Sequence, residues 1–179
     1  MLMKLYHCTS DLESVLKQGA IHSIMRRLPF SDHKKVHDET LIEYQQITSQ
    51  MASLARTRGL QTKNNQTEEE LADLAEAHGL GKTDEYKGLK RRCFVYLGTY
   101  QRALLYGGVV NNVLEFEIPE EKIRKGHPDI DSLVWWELSL NHLTKIFTQT
   151  ERIDETKQLL EKYGLINREV IDLNTLPIL

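Results

Sequence analysis

Cysteine is scarce in this chain: Cys8 and Cys93 are the only two among 179 residues. Two residues so far apart make no disulfide framework, and nothing points to an oxidising compartment, so a reduced pair is expected. No CxxC pair or clustered His/Cys spacing suggests zinc. Long apolar runs are also missing. None approaches the roughly 18 residues that a membrane helix needs, and the opening MLMKLYHCTS lacks the apolar stretch of a signal peptide. The expectation is a cytoplasmic protein with no membrane partner. An excess of positive charge is absent too: 23 basic against 26 acidic residues leave a net charge of −3, which excludes a uniformly basic nucleic-acid surface. Internal repeats and low-complexity tracts are lacking as well.

What is present is ordinary globular composition, 40% hydrophobic and 27% charged, in a length that suits one domain with a real core. The charge is uneven. Residues 1–92 hold 14 Lys/Arg and 13 Asp/Glu, net +1, and residues 93–179 hold 9 and 13, net −4. Basic groups cluster at Arg26-Arg27, Lys34-Lys35, Arg56/Arg58 and Lys87-Lys90-Arg91-Arg92. Converging on one face they would guide a polyanion; scattered, they are a solvated surface.

Residues 3–8 read as a strand running through Tyr6 and His7. Ser10 with Glu13 has the capping-box spacing for a helix start. Leu12, Val15 and Leu16 give that helix its buried stripe, and Gly19 fits its left-handed end. Pro29 discourages helix at Leu28. A long amphipathic helix is expected over about 38–58, with Leu41, Tyr44, Ile47, Met51 and Leu54 on one face. Thr67 and Glu70 repeat the capping-box spacing before Leu71, Leu74 and Ala77. Residues 81–92, GKTDEYKGLKRR, read as polar, either a short helix or a mobile stretch. Strand-rich sequence begins at Cys93 with CFVYL. Thr99 can cap a short helix, YQRALLYG. NVLEFEI alternates, Leu114, Phe116 and Ile118 inward with Glu115 and Glu117 outward. LVWWELSL and LTKIFTQ read as two further strands, a helix follows through Leu159 and Leu160 to Gly164, and EVIDL suits a last short strand. The result is a single α+β domain, 1–179, with a helical insertion over 30–92 after the first strand–helix unit.

Three pieces stand in order: LYHCTS leading into LESVLKQGAI, FVYL followed by ALLYG, and a glutamate near the start of a late strand before LTKIF. Over about residues 3–22, 93–118 and 132–150 this resembles the ADP-ribosyltransferase superfamily, the split-sheet fold of diphtheria-toxin-like toxins and poly(ADP-ribose) polymerases. The family signature is His, Tyr, Glu, and His7, Tyr106 and Glu137 stand in those places. The resemblance implies NAD as substrate. It implies Glu137 as the catalytic carboxylate and His7, Cys8, Thr9, Tyr96 and Tyr106 around the cofactor. The sequence departs from the family at three points: Cys8 replaces the usual glycine, one residue fewer separates the two tyrosines, and Trp135 stands where protein-modifying members have Gln or Glu.

The chemistry suits these types. Nicotinamide leaves NAD as a neutral group while positive charge develops on the ribose, as in glycoside hydrolysis. A carboxylate aimed at the sugar stabilises that charge, aromatic rings stack on nicotinamide, and a histidine fixing the ribose hydroxyls orients the bend of the dinucleotide. Glu115 and Glu117 offer a competing Glu-x-Glu pair that strand alternation already explains. A subset of the superfamily modifies DNA or RNA bases, as toxins of toxin–antitoxin pairs or in phage defence, and its front motif and basic stretch before the middle strand are similar to those here. That resemblance implies a nucleic-acid acceptor, a substrate-contacting role for Arg91 or Arg92, and a neutralising antitoxin protein as partner. A protein acceptor is the nearest alternative. A non-catalytic module binding NAD or ADP-ribose is another. RNA 2′-phosphotransferases share the fold, but their arginine-rich signature near the front histidine is absent.

Overall fold

The computed structural model describes residues 1–23, 33–107, 112–125 and 132–175. Arg26, Arg27 and Pro29 lie outside the described residues, as do the side chains of Lys34 and Lys35. The fold is α+β. The chain forms two compact units, one from Met1–Ile21, Val95–Lys125 and the residues after the second β-rich stretch begins, the other centred on His22–Phe94.

The first unit is built on a four-stranded sheet. Its strands are β1 (Leu2–Thr9), β4 (Asn112–Pro119), β8 (Leu143–Thr148) and β9 (Glu169–Asp172), in that spatial order. β1, β4 and β8 are antiparallel neighbours, and β9 joins β8 in parallel. Side chains alternate between the two faces. Leu5, Leu114, Phe116 and Ile146 point into the main core with Leu12 and Leu16 of α1 (Leu12–Gln18) and Leu160 of α6 (Ile153–Lys162). The opposite face carries Val113 and Phe147, with Tyr6 and Cys8 packed against them, and is covered by Tyr100, Ala103 and Leu104 of α5 (Tyr100–Gly107).

That second cover corrects the reading of Glu115. β4 lies between two strands and under α5, so its outward position at Glu115 is not in water, whereas Glu117 nearer the strand end stays partly exposed. Glu115 is 3% exposed. Tyr6 Oη donates to its Oε2 at 2.9 Å, and Thr144 Oγ1 donates to Oε1 at 2.8 Å while lying 3.1 Å from the Glu115 carbonyl oxygen. Thr144 is the extra residue of a bulge, since Glu115 pairs with Lys145 and Phe116 with Leu143; the bulge turns its hydroxyl to the carboxylate. Burial first, and the carboxylate second, push the Tyr6 phenol up to about 12, so it stays a donor across the physiological range.

Local signals placed most ends. Gly19 closes α1 at φ 71° with nothing near its missing side chain, so its conformation and not its size is what matters. The cap at the other end is corrected: Asp11, not Ser10, accepts from Ser14 N at 3.0 Å. Glu13 is therefore released from capping and binds Lys162 at 2.7 Å, joining α1 to α6.

The second unit is three helices, α2 (His33–Thr57), α3 (Glu68–Ala77) and α4 (Thr83–Cys93). Ala52, Ala55, Ala72 and Ala75 are all fully buried, so α2 and α3 pack through small residues around Met51 and Leu71. The Thr67–Glu70 capping box forms in both directions. Gly81 approaches α2 closely at φ 64°; a Cβ there would sit 2.4 Å from Leu54 Cδ1. Of the two readings of the polar-looking stretch 81–92, the helix is the one that forms. α4 runs through Cys93, so that residue ends a helix and does not begin a strand, and Tyr86, Leu89 and Cys93 are wholly buried. Burial pushes the Cys93 thiol up to about 12, which keeps it an unreactive thiol. Lys90 is buried as well. Its Nζ binds Asp73 Oδ1 at 2.9 Å and Glu76 on α3, while lying 4.9 Å from the Tyr86 ring centre, and Tyr86 Oη donates to Asp73.

No helix among the described residues is long and apolar enough to cross a membrane.

Candidate functional site

His7 lies inside β1, two residues from its end, on the same face as Leu5 and opposite Leu114. It is half-buried. Its Nδ1 lies 3.0 Å from the Tyr96 carbonyl oxygen. A carbonyl can only accept, so Nδ1 carries the proton and the neutral ring leaves Nε2 as an acceptor. Burial holds the imidazole below its usual range, opposed by the bond to Tyr96. His7 is therefore neutral near pH 7 with its accepting nitrogen fixed.

The depressed value has a consequence for stability. Between the folded-state value and the ordinary 6.5 the unfolded chain binds more protons, so stability rises with pH through that window and is lost as pH falls through it. Thermal denaturation from pH 7.5 to 5 is expected to show a falling midpoint below about 6.5. His7→Gln should flatten that part of the profile, and an unchanged slope in the variant would assign the effect to another group.

The contact with Tyr96 joins the front and middle motifs. Tyr96 sits on β3 (Phe94–Leu97), whose other side chains are buried, and is itself 37% exposed. Two residues on, Gly98 exchanges both backbone hydrogen bonds with Tyr6, at 2.9 and 3.0 Å. Backbone groups of a strand alternate in direction. Tyr6 points its amide and carbonyl at Gly98, away from β4, so those of Cys8 point along the same edge. The Cys8 side chain faces the other way, toward Val113 and Phe147. A glycine-to-cysteine change at this position thus places its extra atoms on the sheet face away from His7. Thr9 ends β1 opposite Asn112, and its Oγ1 accepts from Asp11 N at 3.2 Å.

Glu137 opens β7 (Glu137–Ser139), which pairs with β2 (Ala20–His22), the strand that follows α1 directly. Leu140 N donates to the Gly19 carbonyl at 3.0 Å and ties the end of β7 to the start of β2. The glutamate is exposed while Trp136 and Leu138 on either side are buried. Its strand therefore borders the strand–helix–strand segment that begins with His7. Residues 133–140 do not form one strand, contrary to expectation. β6 (Ser132–Trp135) belongs with β3 and β5 (Arg124–Lys125), and the chain leaves that sheet at Trp136, the single non-glycine residue of positive φ, 63°, among the described residues. Such a backbone costs about 1–3 kcal/mol for a bulky residue. The ring is 8% exposed, and burying some 150–250 Å² at about 25 cal/mol per Å² returns roughly 4–6 kcal/mol, which is enough to hold it there.

Tyr106 is not drawn into this group by any contact among the described residues. It projects from the last turn of α5, 75% exposed, with the Arg102 guanidinium 5.4 Å from its ring centre. The aromatic packed against β1 from this helix is Tyr100, 5.5 Å from the Tyr6 ring. Sequence reading passed over Tyr100 because it stands at the helix start and outside the motif. Arg91 and Arg92 belong to α4 in the helical unit; Arg91 is exposed, and Arg92 Nε donates to the Gly88 carbonyl at 3.4 Å.

The first unit holds a neutral imidazole whose Nδ1 donates to Tyr96, the Cys8 backbone on the strand edge shared with Gly98, a half-exposed tyrosine and, on the separate β2–β7 pair, a carboxylate at a strand start. Comparison with protein-family models, with curated proteins and with solved structures finds no match for this chain.

Proposed function

We propose that this protein is an NAD-dependent mono-ADP-ribosyltransferase of the His-Tyr-Glu type, with nucleic acid as acceptor. The observation that carries the reading is the His7–Tyr96 contact, which brings together two motifs 89 residues apart. With Tyr6 and Gly98 paired beside it, the order of motifs in the sequence becomes adjacency in space.

In this reading His7 Nε2 accepts from a ribose hydroxyl of NAD, and the backbone of Cys8 lies on the edge where a carboxamide would be held. Tyr96 lends a ring to nicotinamide, with Tyr106 closing from α5. Glu137 faces the ribose carbon that loses nicotinamide. The carbon–nitrogen bond breaks with its electron pair going to nicotinamide, and the carboxylate stabilises the cationic sugar until the acceptor attacks. A base nitrogen is a suitable acceptor because Trp135, two residues before Glu137, offers a flat base a stacking partner. The family resemblance gives Arg91 or Arg92 a substrate-contacting role. A toxin role with a neutralising protein follows from the same resemblance.

The test is incubation with NAD labelled in the adenylate half, together with RNA, single-stranded DNA or lysate protein. Label that becomes attached to nuclease-sensitive material is expected. Label that resists nuclease and is lost to protease would move the acceptor to protein. NAD bound without release of nicotinamide under any condition would leave a binding module instead of a transferase.

A further inference from the structure

The strained residue of the first unit stands immediately before the proposed catalytic carboxylate. We infer that Trp136 is a positioning residue for Glu137, acting through its left-handed backbone. This rests on the reading of Glu137 given above.

Residues 132–135 and 137–139 are both extended, yet they belong to two different sheets. One residue separates them, and that residue has φ 63°. Were it extended, β6 would continue through Glu137, and the carboxylate would sit on the sheet of β3 and β5. With the left-handed step the chain turns out of that sheet and starts again on β2. β2 follows α1 directly, so the step is what moves the carboxylate from the β3–β6–β5 sheet to the strand that ends the front β1–α1–β2 unit. The sequence around it contains none of the residues that usually take this conformation, glycine or asparagine. A tryptophan is kept there although its backbone conformation is disfavoured, and its ring is buried beside Trp135 at 6.4 Å between centres. The ring acts as the anchor that holds the turn, and the turn aims the glutamate.

A crystal structure of the wild-type protein with NAD is the first measurement. Trp136 is expected at positive φ, with a Glu137 oxygen within hydrogen-bonding distance of the ribose. An extended Trp136 overturns the inference. A left-handed Trp136 with Glu137 far from the ribose leaves the turn in place and instead removes the assignment of Glu137. The second measurement compares Trp136→Asn with Trp136→Val, substitutions of similar size. Asparagine tolerates the left-handed region and valine does not. Nicotinamide release is expected to retain about a third or more of the wild-type kcat in Trp136→Asn. In Trp136→Val it should fall at least tenfold, with KM for NAD within about threefold of wild type in both. Burial alone predicts the reverse order, because valine is the better core residue. Equal or greater kcat in the valine variant would therefore overturn the proposal. Trp136→Gly, which frees the backbone entirely, should follow asparagine.

Discussion

Glu137→Ala is expected to lower nicotinamide release from NAD by about 100- to 1000-fold, the size of effect seen when a group aimed at developing charge is removed. The reasoning is electrostatic. In the proposed transfer nicotinamide departs neutral, so no leaving-group proton is needed, and what has to be stabilised is the positive ribose. One carboxylate meets that need, and Glu137 is the exposed one set between buried neighbours on a strand start. Because it is exposed, its loss should change unfolding free energy by no more than about 0.5 kcal/mol, and NAD binding should change far less than turnover. Glu117→Ala is the control. Glu117 lies on β4 with Lys4 3.8 Å from its carboxylate, a surface pair of small worth. Turnover surviving in Glu137→Ala but lost in Glu117→Ala would transfer the catalytic role to the Glu-x-Glu pair.

Lys90→Met should destabilise the helical unit by about 3 kcal/mol or more, since removing one partner of a buried ion pair leaves charge uncompensated. Here two carboxylates depend on the same ammonium. Asp73 and Glu76 stand one turn apart on α3 at 15% and 11% exposure, and Lys90 reaches both. Without it two carboxylates one turn apart share a poorly hydrated site, with the Tyr86 hydroxyl donating to Asp73. The triple change Lys90→Met, Asp73→Asn, Glu76→Leu should recover most of the loss, because apolar packing of similar volume replaces a buried pair with little cost. Urea unfolding of the three-residue and single variants measures both. Equal midpoints for wild type and Lys90→Met would mean that the ion pairs contribute nothing net.

The fates of these two glutamates and this lysine show what the amino-acid sequence made legible. Ends governed by neighbours three or four residues away were mostly readable: Gly19, the Thr67–Glu70 box and Thr99 act as their spacing implies, while the Ser10–Glu13 spacing gave way to a cap at Asp11. Strand alternation was readable only as far as one face. Glu115 alternates as a solvent-facing residue does, yet α5 upstream, Tyr100–Gly107, covers that side, and nothing local announces a Tyr6–Glu115 pairing across 109 positions. Residues 81–92 read as a short helix or a mobile stretch because their charges count as polar; the structure makes them a helix. Lys90 is buried only because Asp73 and Glu76 lie on another helix, which composition cannot report. The break at Trp136 had no sign at all: two tryptophans favour strand, and burial of a ring decided the backbone. For the site, the three motifs were visible, and so was their order. The contact of His7 with a backbone carbonyl of Tyr96 was not, because a carbonyl leaves no trace in residue identity.

The pairing of β1 also fixes an order of events during synthesis. β1 is made first, but its partner β4 begins at Asn112, its other contact is Gly98, and the sheet is complete only when Asp172 has joined β8. The helices of 33–93 need nothing beyond their own neighbourhood. At typical translation rates of about 5–20 residues per second, the first strand waits some seconds with both edges unpaired, and sheets closed over such long separations form slowly. A nascent or truncated chain lacking the last three strands of the sheet would therefore hold every front-motif residue without the sheet that fixes their places.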